Sequence, residues 1–183
     1  MDSLIRTALD DILSEDRIQQ GAAFMTLLGK TEDRVDWAYD AWDELVQSLT
    51  HGNNRTRAIA AQVLCNLAKS DPQKRMLRDF GKLLQVTRDE RFVTARHCLQ
   101  SIWKVGAAGP EQQAVLLSGL EHRFRECAAE KNGTLLRYDI IQVLRSLYEA
   151  GNDDQVRRIA LRLIETEPDK KYRAKYASLW IDD

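Results

Sequence analysis

Apolar residues recur along the chain at intervals of three and four, in stretches parted by short polar joints, which predicts amphipathic helices from end to end. The clearest stretch is 54–69, NRTRAIAAQVLCNLAK, where Ile59, Val63, Leu64 and Leu67 share one face with Ala60, Ala61 and Ala68. Weaker copies return at nearly constant spacing. Aligning Ala60–Leu64 with Ala23–Leu27, Cys98–Ile102, Ile140–Leu144 and Tyr176–Trp180 gives steps of 64−27 = 37, 102−64 = 38, 144−102 = 42 and 180−144 = 36 residues. A period near 40 holding two helices marks an array of stacked helix pairs.

Taken in order, the pattern predicts a first pair over 3–14 and 17–28, with Leu4, Ile5, Ala8, Leu9, Ile12 and Leu13 on one stripe and Ile18, Ala22, Met25 and Leu28 on the next. A second pair is expected over 33–49 and 54–69, joined at His51-Gly52-Asn53-Asn54. Asp71-Pro72 reads as a helix start, with an N-cap followed by proline at the first position. That helix and the next, beyond Thr87-Arg88-Asp89-Glu90, form the third pair. Gly109-Pro110 opens a fourth pair that breaks at Lys131-Asn132-Gly133-Thr134 and ends at Gly151. The fifth restarts after Glu167-Pro168 and closes on Tyr172, Tyr176, Leu179 and Trp180. No linker or low-complexity segment interrupts the series, so one domain over residues 1–183 is expected.

Composition sharpens this picture. Hydrophobic residues make up 44% of 183, enough for a proper core, and the three prolines and nine glycines fall mostly at predicted joints. No apolar run approaches the roughly eighteen residues of a spanning helix, and MDSLIRTALDD lacks a signal-peptide core. A soluble, cytoplasmic protein with no membrane contact is expected. Cys65, Cys98 and Cys127 are odd in number, widely spaced and placed on apolar faces, as core thiols in a reducing compartment would be. The net charge of −1 conceals an asymmetry, since residues 1–50 carry 4 Lys+Arg against 11 Asp+Glu and the remainder 23 against 17.

Three copies carry an arginine three residues ahead of the aligned block, at Arg57, Arg137 and Arg173; the third copy has Ala95 there with Arg96 beside it. Acidic residues precede most of these helices, among them Asp71, Asp89, Asp153, Asp154 and Asp169. This resembles the HEAT-repeat pattern, in which a turn aspartate and an arginine near the start of each second helix line the inside of the stack. The resemblance covers nearly the whole chain, is degenerate in motif, and implies an all-α, right-handed α-α superhelix of about five helix pairs. Second helices of such stacks line the concave face. Arg57, Arg91, Arg96, Arg137, Arg173 and Lys175 are therefore the candidate partner contacts, either as an open cationic groove or as a ladder of satisfied Arg-Asp pairs. An alternative patch is acidic and aromatic: Trp37, Asp40, Asp43 and Glu44.

Catalysis finds little footing. The chain has no phosphate-cradling glycine loop, nucleophile elbow or paired-cysteine metal motif. His51, His97 and His122 lack the repeated His-Glu pairs of HEAT-type di-iron hydroxylases, so no metal or other cofactor is expected. Helical-repeat alkylpurine DNA glycosylases use a concave aspartate among tryptophans; here Trp103 has no such aspartate nearby, and Asp139 no such tryptophan. The sequence thus points to a non-catalytic protein-binding scaffold or adaptor. Its alternative is a nucleic-acid-binding protein or glycosylase-like enzyme, in which charge neutralisation would supply most of the affinity.

Overall fold

The computed structural model describes residues 1–181 and, among them, is all-helical, with ten α-helices and no strand. These are α1 Ser3–Asp11, α2 Arg17–Lys30, α3 Ala38–Ser48, α4 Asn54–Leu67, α5 Arg75–Val86, α6 Phe92–Ala107, α7 Pro110–Glu126, α8 Gly133–Gly151, α9 Asp154–Glu165 and α10 Lys170–Ala177. The chain divides into two compact units, Met1–Ser101 and Ile102–Asp183, with the boundary inside α6. Residues 182–183 lie outside the described residues.

Within the first unit α1 packs on α2 and α3 on α4, while α2 also meets α4 and α3 meets α5. First helices thus touch first helices, and second helices touch second. The stretch 54–69 holds α4, the most deeply buried helix of the unit: Ile59, Val63, Leu64, Cys65 and Leu67 are each at most 2% exposed. Full burial of such a side chain contributes about 1.5–3 kcal/mol. Polar groups inside this core are satisfied. Trp42 Nε1 donates to Asp79 Oδ2 at 3.1 Å, and Gln20 Nε2 donates to Ile12 O at 2.8 Å and Thr56 Oγ1 at 3.1 Å.

The second unit repeats the arrangement, with α7 against α9, α8 against α10 and an extensive α8–α9 contact. Its core holds Leu116, Leu120, Phe124, Ile140, Leu144 and Val156, all fully buried. The turn between α7 and α8 requires a glycine, because a Cβ on Gly133 would lie 1.9 Å from the carbonyl oxygen of Cys127. All three cysteines are buried thiols outside any disulfide. Among the described residues no helix is long and apolar enough to cross a membrane, and no cluster of His, Cys, Asp or Glu could hold a metal.

Four expectations need correction. On the first stripe Ile5, Ala8, Leu9 and Ile12 are buried, but Leu4 and Leu13 are 52% and 41% exposed. In α2 the buried residues are Gln20, Ala23 and Leu27, whereas Ile18 and Met25 are 85% and 67% exposed and Ala22 is exposed too. A hydrogen-bonded glutamine holds the place that apolarity alone would have assigned elsewhere. The helix expected at Asp71-Pro72 begins instead at Arg75, after Lys74 in the left-handed region (φ 55°). Asp71 still caps it, but across a turn, accepting from the amides of Arg75 and Met76 at 2.8 Å each. Finally, α3 starts at Ala38 rather than near 33, since the Val35 amide is diverted to Ser70 Oγ at 3.0 Å.

Candidate functional site: an arginine-lined groove

The starts of α2, α4 and α6 lie around one open groove of about 710 Å³ in the first unit. Each start is capped by a side chain from its own turn: Asp16 accepts from Ile18 N at 2.7 Å, Asn53 from Arg55 N at 2.9 Å and Asp89 from Arg91 N at 2.8 Å. With those amides occupied, the groove's positive character comes from its guanidiniums. Arg17, Arg55, Arg57 and Arg91 line it together with Glu15 and Glu90, over a floor that includes Phe24, Ala58, Ile59 and Val93.

The four arginines are in different situations. Arg57 is locked: its Nε and Nη2 reach Asp89 Oδ2 and Oδ1 at 2.6 and 2.9 Å, and its Nη1 donates to the carbonyls of His51 and Gly52 at 2.8 and 3.1 Å. Hydrogen bonding to Asp89, opposed by burial, raises its pKa above the ordinary arginine value. The guanidiniums of Arg17, Arg55 and Arg91 make no hydrogen bond or ion pair among the described residues. Arg55 lies against α2 at Gly21, where an added Cβ would be 3.1 Å from its Nη2.

In the second unit Arg137 is buried, and its Nε donates to Phe124 O at 2.9 Å and its Nη1 to Glu167 Oε2 at 2.8 Å, with the guanidinium 4.6 Å from the Phe124 ring centre. Arg57 and Arg137 therefore act alike, each tying its helix to the turn that precedes the next second helix. Arg96 stands 5.6 Å over the Phe92 ring, and Lys175 stands 4.7 Å over that of Tyr138. Arg173 is half-buried, and its amide donates to Asp169 O at 2.8 Å. Asp139 is buried.

Members of the acidic-aromatic patch make contacts within the chain, while Asp40 and Asp43 keep 56% and 75% of their side-chain surface exposed. Trp37 is buried at the cap of α3. Asp40 takes the amino terminus at 3.2 Å, Asp43 lies near Arg75 and Arg78 at 3.7 and 3.3 Å, and Glu44 is held by both amino groups of Arg6 at 2.8 and 2.7 Å. Hydrogen bonding to Glu44, then to Asp10, raises the pKa of Arg6.

Of the groove's three unmatched arginines, Arg91 is among the contacts expected from the sequence, and the fold brings Arg17 and Arg55 to it. Arg17, Arg55 and Arg91 are spaced 55−17 = 38 and 91−55 = 36 residues apart, which is the repeat period itself. Nothing in the sequence separates this series from the Arg57 series except the carboxylate that meets one and not the other.

No family model matches the chain, and no curated protein matches it in sequence. Among solved structures, it is similar to the crystal structure of an engineered protein from the Northeast Structural Genomics Consortium, at a TM-score of 0.55 over 98% of this chain and 88% of that one. Identity is 14%, so the likeness concerns the fold alone.

Proposed function

We propose that the protein is a non-catalytic binding scaffold of the HEAT-like type, a right-handed superhelix of helix pairs that works in the cytoplasm and holds a protein partner in the arginine-lined groove. One observation carries this reading: Arg17, Arg55 and Arg91 are left without internal partners around an open groove, while Arg57 beside them is fully engaged. Charged groups left uncompensated on a preformed concave surface are what a recognition site provides. The layering of first on first and second on second helices within each unit supports the repeat assignment.

The test is affinity capture from native lysate by the purified chain at low and moderate salt, identifying bound protein and nucleic acid alike. A discrete protein that survives moderate salt and is lost with the R55E/R91E double variant is the expected result. Retention of nucleic acid alone, released by moderate salt, would shift the assignment to the nucleic-acid-binding reading, because phosphate contacts weaken steeply with salt.

A further inference from the structure

The surface beside the groove narrows the choice of occupant. At 100° per residue, Arg17, Gln20 and Phe24 lie on the groove side of α2, and Ile18, Ala22 and Met25 form a neighbouring ridge, with Gly21 between them. Ile18 and Met25 are among the most exposed large apolar side chains of the described residues, at 85% and 67%. Val93, lining the groove from α6, is 62% exposed. Solvent-facing apolar residues placed singly are ordinary, but a ridge beside unmatched arginines is the mixed character of an interface.

We infer that the groove binds a short acidic protein segment carrying apolar anchors, whose carboxylates pair with Arg17, Arg55 and Arg91 and whose apolar side chains cover Ile18, Met25 and Val93. The inference rests on the scaffold reading above and specifies its ligand. Charge complementarity favours carboxylates, which arginine takes in bidentate fashion. It disfavours a continuous phosphate backbone. Glu15 and Glu90 stand on the same groove, so three unmatched cations face two carboxylates, and an unbroken run of phosphates would meet both. A segment with a few spaced acids can place each carboxylate against an arginine and avoid the glutamates. Gly21 has a part in this, because its missing side chain lets Arg55 lie between ridge and groove.

The experiment selects binders to the full chain from a display library of random dodecapeptides, then measures the selected peptides by fluorescence anisotropy. Wild type is compared with R55Q/R91Q, R55E/R91E and I18S/M25S, each first shown to melt like wild type. The expected result is enrichment of peptides combining Asp or Glu with Leu, Ile, Phe or Met. Affinity should fall at least tenfold in the charge variants and several-fold in I18S/M25S. A labelled single-stranded dodecanucleotide should bind more weakly than these peptides at moderate salt. Enriched peptides without acids, or acidic ones indifferent to all three variants, would overturn the inference, as would no enrichment or tighter binding of the oligonucleotide. A dimer that R55E/R91E abolishes would overturn it in favour of a second copy as occupant. The scaffold reading has its own readout: a partner captured by wild type and equally by R55E/R91E would keep the scaffold and remove this groove from it.

Discussion

At the scale of single residues, two arginines at neighbouring positions do opposite work. Arg57 neutralises Asp89, whose side chain is only 5% exposed and which also caps α6. R57A would strand that carboxylate in a part-buried setting, and a loss of about 1–3 kcal/mol is expected. R55A removes a guanidinium with no internal partner and is expected to change stability by no more than about 0.5 kcal/mol. Urea titration of the two variants should separate them clearly; equal losses would show that Arg55 is structural as well. Asp79 offers a pH test. Burial raises its pKa, but hydrogen bonds from Arg78 and Trp42, with the nearby charges of Arg78 and Lys82, hold the net value below the ordinary aspartate range. A carboxylate depressed on folding contributes stability that is fully present above its unfolded value, near 3.9, and is lost as pH falls through the folded one. D79N is therefore expected to flatten the acid limb of the stability curve below about pH 4, measured by urea midpoints from pH 2 to 7.

At the scale of elements, the joints carry the constraints. A G133A variant would drive its methyl group into the Cys127 carbonyl, which only a backbone shift can relieve. A loss of about 2–4 kcal/mol is expected, read from thermal unfolding. K74G is the contrasting case, since Lys74 holds a left-handed conformation that costs a non-glycine residue about 1 kcal/mol. That substitution is expected to be neutral or slightly stabilising, provided the Asp71 cap across the turn survives. The two variants also show how much local sequence settles. The glycine at 133 was readable as a joint, and so was the proline at the start of α7. The true start of α5 was not, because it depends on Tyr39, whose hydroxyl donates to Asp71 at 2.6 Å and accepts from the Gln73 amide at 2.7 Å.

At the scale of the molecule, the three thiols report on the two units separately. Cys65 and Cys98 are buried in the first and Cys127 in the second. Burial pushes the Cys98 thiol well above its ordinary value and that of Cys127 to about 11. A thiol reagent at pH 8 should therefore leave all three unlabelled in the native protein, since burial denies access to each and the thiolate is also disfavoured at Cys98 and Cys127. Under increasing urea, Cys65 and Cys98 are expected to become labelled together, as members of one compact unit, and Cys127 with a transition of its own. Coincident labelling of all three would mean that the units open as one cooperative body.

What the sequence by itself determined was the helical class, the repeat period and most of the joints. Apolar periodicity, capping residues and glycine or proline placement act within a few residues of each other, and such local physics is written in the order of the chain. What only the tertiary structure decided was which charges are spent and which remain. Arg57 meets a carboxylate 32 residues away and Arg137 one 30 residues away, while the acidic start of the chain, expected as a surface patch, is partly absorbed by Arg6, Arg75, Arg78 and the amino terminus. The same folding turned Ile18 and Met25 outward and sealed Gln20 inward. Pairing and burial depend on which distant elements come into contact, and local periodicity does not encode which arginine will find a partner.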